Sequence, residues 1–157
     1  MSFLDKLFGK KNAAPAKPQV LQREGIKTGL ASVDKESAIR AAGALLHELG
    51  CVEESYIDAM LEREKLVSTY MGMGIAIPHG TSQAKGTVKR SGIVVLQYPE
   101  GVDFGSEKAY LVFGIAGVGE EHLDLLAKIC GALEDEDLLE DLKKNANVET
   151  FLKVLGD

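Results

Sequence analysis

Two runs, Gly92-Ile93-Val94-Val95-Leu96 and Tyr110-Leu111-Val112-Phe113-Gly114-Ile115, are apolar at almost every position and rich in β-branched and aromatic residues. A strand in a half-exposed sheet alternates apolar and polar residues, because successive side chains point to opposite faces. A run with no polar face therefore belongs to a sheet covered on both sides. Ile75-Ala76-Ile77 is a third, shorter run of the same character. The covers are predicted to be helices. From Asp34, whose carboxylate suits an N-cap, the chain spaces Ile39, Ala42, Leu45, Leu46 and Leu49 on one helical face, and Gly50 supplies the stop. A second helix is predicted over 54–66, with Tyr56, Ile57, Met60 and Leu61 buried and Glu62-Arg63-Glu64-Lys65 as a charged run. Helical periodicity resumes over 122–133, 137–143 and 148–155. The fold class that follows is α/β, a single-domain sandwich of a sheet flanked by α-helices.

The 157 residues suffice for one core, since a chain of this size buries roughly two thirds of its unfolded surface. Apolar residues at 45% and charged residues at 27% are the mixture of a globular domain. A formal charge of −6 argues against nucleic acid as a partner, because phosphate-backbone affinity is built from clustered Lys and Arg. Cys51 and Cys130 lack a metal-clip spacing or a disulfide framework, so they are expected to be buried free thiols in a reducing, cytoplasmic setting. The longest apolar stretch, 110–118, falls short of the ~20 residues of a membrane-spanning helix, and no secretory signal is visible. Residues 1–19 read as an N-terminal amphipathic segment and linker. Phe3, Leu4, Leu7 and Phe8 share one side of a short helix, with Lys6, Lys10 and Lys11 free to meet anionic headgroups. Weak membrane-surface contact by residues 1–11 is one expectation and a frayed terminus the other. The folded domain is expected over 20–157.

The densest chemical signal is Gly74-Ile75-Ala76-Ile77-Pro78-His79-Gly80, in which an apolar strand enters a proline-restricted turn that ends in an imidazole. Gly80 allows close backbone approach, and Thr81 and Ser82 add hydroxyl donors. A neutral imidazole is nucleophilic near neutral pH, so this arrangement suits covalent phosphoryl capture. Taken alone, a single histidine is as readily a polar turn residue.

The order Glu64, six residues, Met71-Gly72, two residues, then Ile75-Ala76-Ile77-Pro78-His79-Gly80 resembles the phosphohistidine signature of the mannitol/fructose-type enzyme IIA family of the sugar phosphotransferase system. The resemblance extends from Leu61-Glu62-Arg63-Glu64 to Gly114-Ile115-Ala116-Gly117-Val118-Gly119-Glu120-Glu121-His122-Leu123 and covers roughly residues 25 to 155. Ser91 to Val102 looks closer to the mannitol type. The resemblance implies a mixed sheet, and a type-2 EIIA domain over 20–157. It implies that His79 accepts phosphate from HPr, through Nε2, and passes it to a cysteine of the EIIB component of an EIIB/EIIC permease. His122 would stabilise the phosphoryl group and Arg63 its charge, with no cofactor or metal. Positioning and electrostatics are chemically sufficient for such a transfer. A nitrogen-type regulatory module that docks onto partners according to its phosphorylation is the competing reading. A metal-dependent hydrolase using His79, His122 and Glu120 or Glu121 is a third, and the sequence lacks a compact His-Glu-x-x-His motif for it.

Overall fold

In the computed structural model, which describes residues 19–145 and 147–156, the two apolar runs lie side by side at the centre of a sheet. The strands are β1 (Leu21–Lys27), β2 (Tyr70–Gly72), β3 (Ile75–Ala76), β4 (Gly92–Asp103) and β5 (Lys108–Ala116), in the order β1-β4-β5-β3-β2. β4 and β5 pair antiparallel, with Ile93 opposite Ile115 and Val95 opposite Phe113. β1 joins β4 and β3 joins β5 in parallel, while β2 and β3 form an antiparallel hairpin. The sheet is mixed, as the family resemblance implied. Sequence reading did not find β1 or β2. The first, Leu-Gln-Arg-Glu-Gly-Ile-Lys, is an edge strand with three polar residues in the middle, and the second has only three residues.

Alternation along the central strands divides the core in two. Val94, Leu96, Val112 and Ala116 face helices α1 (Lys35–Glu48) and α2 (Tyr56–Leu66), where Ile39, Leu46, Tyr56 and Met60 meet them. Ile93, Val95, Leu111, Phe113 and Ile115 face α3 (Glu121–Ala132), α4 (Glu136–Lys144) and α5 (Val148–Leu155), which contribute Leu125, Ile129, Leu139, Leu142 and Phe151. Strands with no polar face are thus the middle layer of three, as their composition requires.

Local rules account for the helix ends. Asp34 caps α1 by accepting from the Ser37 amide at 2.8 Å. At the other end Cys51 N–H donates to Leu46 and Gly50 N–H to His47, a Schellman closure that needs the left-handed Gly50 (φ 81°). Two expectations are corrected. Glu64, read as part of a charged run opposite the buried stripe, is itself buried because it falls on the Tyr56–Met60 stripe, four residues beyond Met60. Cys130 is exposed, one position around α3 from the buried Ile129, while Cys51 is buried as expected. The N-terminal amphipathic segment and its membrane contact lie outside the described residues, apart from Gln19 at its end.

Candidate active site

β3 delivers His79 through a short rigid lead. Ile77 N–H donates to the Thr69 carbonyl at 3.0 Å, and the Pro78 carbonyl accepts from Ile115 N–H at 3.1 Å, so the strand's path continues alongside β5 after its own ladder ends. The imidazole Nδ1 of His79 lies 2.9 Å from the Ile77 carbonyl oxygen. A carbonyl only accepts, so Nδ1 carries the proton and Nε2 keeps its lone pair. Burial pushes the ring's pKa below 6.5. The Ile77 hydrogen bond and Glu64 pull it upward, and the cations or partial cations at Arg63 and His122 push it down again, leaving a net depression.

His122 is the second residue of α3, which begins directly after Gly117-Val118-Gly119-Glu120. Its ring stacks beside that of His79, with centroids 6.2 Å apart and planes inclined by 28°. Gly117 makes this possible, because a Cβ there would overlap the backbone nitrogen of His122. The connecting strap is held by polar ties. Lys85 pairs with Glu120, Ser91 Oγ donates to Glu121, and Val118 N–H donates to Ser91 Oγ at 3.0 Å.

Arg63 comes from the last turn of α2, where Nη1 donates to the Val67 carbonyl at 2.6 Å. Arg63, His79 and His122 all line one open depression of about 340 Å³, with Gly80, Thr81, Ser82 and Lys85 around them. The structure therefore brings together the three residues singled out from the sequence. Glu120 and Glu121 are exposed and tied to Lys85 and Ser91. Among the described residues no group of three His, Cys, Asp or Glu is placed to hold a metal ion. None of the described helices is long and apolar enough to cross a membrane.

Sequence reasoning gave no role to two buried polar groups that hold this segment, Glu64 and Tyr56. The Glu64 carboxylate accepts from Ser68 Oγ at 2.6 Å, Thr69 N–H at 2.9 Å and Thr69 Oγ1 at 2.6 Å, and Lys35 Nζ lies 3.6 Å away. It thereby fixes Thr69, whose carbonyl holds Ile77. Tyr56, counted as one of an apolar stripe, donates its hydroxyl to the Ile115 carbonyl at 2.9 Å and accepts from Gly80 N–H at 2.8 Å. The available signal was chemical: a tyrosine or glutamate on a buried helical face must find hydrogen-bond partners.

Comparison with known proteins gives a consistent result. The family profile described as "Phosphoenolpyruvate-dependent sugar phosphotransferase system, EIIA 2" matches residues 19–157. The mannitol-specific phosphotransferase enzyme IIA component of Geobacillus stearothermophilus is 47% identical over 139 residues, covering 88% of this chain and 96% of that one. The mannitol-specific EIICBA component of Pasteurella multocida is 48% identical over 146 residues, which are 90% of this chain but 23% of the relative. The chain thus spans less than a quarter of that longer protein. Among solved structures, the complex of enzyme IIA and phosphorylated enzyme IIB of the mannitol system from Escherichia coli superposes with a TM-score of 0.82 at 44% identity, covering 86% of this chain and 97% of that chain.

Proposed function

The chain belongs to the EIIA 2 family of the phosphoenolpyruvate-dependent sugar phosphotransferase system, and from that premise we propose that it is a phosphoryl relay whose carrier is Nε2 of His79. The phosphoryl group arrives from the phosphohistidine of HPr. The donor N–P bond breaks as the Nε2–P bond forms. In the second transfer, a cysteine thiolate on an EIIB component attacks the same phosphorus and frees the imidazole. The sugar is mannitol, on the strength of the relatives' names, and its choice rests with the permease rather than with this cytosolic domain.

One observation carries the reading. The Nδ1–Ile77 hydrogen bond leaves Nε2 as the basic nitrogen, on a ring whose lowered pKa keeps it neutral and nucleophilic. His122 lies alongside to donate a hydrogen bond to the phosphoryl oxygens, and the Arg63 guanidinium offsets their charge as it spreads in the transition state. An open depression suits two protein partners that reach one imidazole in turn.

The test is intact mass after incubation with phosphoenolpyruvate, enzyme I and HPr, on wild type and His79→Ala. A single acid-labile phosphate present only with His79 is the expected result. Phosphate on His79→Ala, or none on wild type, refutes the relay and leaves a docking module with the same fold.

A further inference from the structure

We propose that Tyr56 is a positioning residue for phosphoryl transfer, its hydroxyl holding the backbone on the far side of His79 so that the reactive ring is anchored from both neighbours. The inference rests on the relay reading and adds a residue to it.

A closed circuit of hydrogen bonds supports this role. On one side of His79, the Pro78 carbonyl accepts from Ile115 N–H at 3.1 Å. On the other, Gly80 N–H donates to the Tyr56 hydroxyl at 2.8 Å, and that hydroxyl donates to the carbonyl of the same Ile115 at 2.9 Å. Both neighbours of the histidine are therefore referred to one residue of the central strand, directly at Pro78 and through a phenol at Gly80. Two residues on, just past the end of β5, Gly117 abuts the backbone of His122, so the same strand end locates the second imidazole. Tyr56 itself has little freedom. It is 4% exposed, and its ring lies so close under Gly80 that a Cβ there would come within 2.6 Å of the ring edge. A satisfied core tyrosine would need one carbonyl partner. Here the second partner is the amide next to the reacting residue, and losing it would release the one segment whose placement sets the attack geometry.

The experiment compares wild type, Tyr56→Phe and a control, Phe151→Leu, which loosens the core on the opposite face of the sheet. Steady-state acceptance from phospho-HPr is measured together with the ring tautomer of His79 by nitrogen-15 NMR. For Tyr56→Phe the expected result is kcat lowered on the order of tenfold to a hundredfold with KM unchanged. A second, Nε2-protonated tautomer should become visible, while Phe151→Leu keeps wild-type kcat and tautomer. A Tyr56→Phe protein with wild-type tautomer overturns the proposal, as does an equal loss of kcat in the control. Failure of wild type to accept phosphate refutes the relay instead, and the tautomer comparison then decides the positioning role alone.

Discussion

The imidazoles of His79 and His122 lie 6.2 Å apart, centre to centre, nearly parallel and from segments 43 positions apart in the chain. That separation leaves room between the rings for a group bonded to one and hydrogen-bonded by the other. On the proposed relay it divides the labour, with covalent capture at Nε2 of His79 and His122 meeting the charge that results.

His122→Ala is accordingly expected to accept phosphate and to pass it on poorly. Removing one preorganised donor to a developing charge costs on the order of a hundredfold or more in rate. Rapid-quench measurement of the two half-reactions checks this, and equal slowing of both would contradict the division of roles.

The pH dependence follows from the buried ring. The folded pKa of His79 lies below 6.5, chiefly through burial. The fold therefore favours the neutral form, and its contribution to stability is complete above 6.5 and lost as pH falls through the region below it. An NMR titration of the His79 ring should find its midpoint under 6.5. A midpoint at or above that value would contradict the environment described.

Glu64→Gln should destabilise the protein by about 1–3 kcal/mol at neutral pH, because it leaves the buried donors of Ser68 and Thr69 imperfectly matched. Burial alone would raise this carboxyl's pKa, but those donors and Lys35 outweigh it and the net direction is down from 4.5. The stabilisation is thus present above 4.5 and disappears as pH drops through the lower folded value. Urea denaturation from pH 7 to pH 3 should show a steeper acid loss in wild type than in the variant.

Gly117→Ala tests the join between β5 and α3. A methyl group there meets the His122 backbone and must push the helix start away. The expected cost is on the order of 1–3 kcal/mol, as for other overpacked sites, with onward transfer impaired as in His122→Ala. Urea midpoints and the second half-reaction report the two effects separately.

Features that depend on near neighbours could be read directly along the chain. Asp34 and Gly50 mark the ends of α1 because capping and closure involve residues within one turn. The apolar runs of β4 and β5 announced a sheet covered on both faces. The run into Pro78-His79-Gly80 was legible as a strand entering a turn because strand, turn and histidine are contiguous. The remaining features depend on which distant segments pack together. β1 earns its place through parallel pairing with β4, some 70 residues away, which its own polar centre does not signal. Glu64 and Tyr56 belong to one helical stripe, yet their roles were set by Thr69, Gly80 and Ile115. Burial and hydrogen bonding across such separations depend on which segments pack together, and no local periodicity encodes that partner.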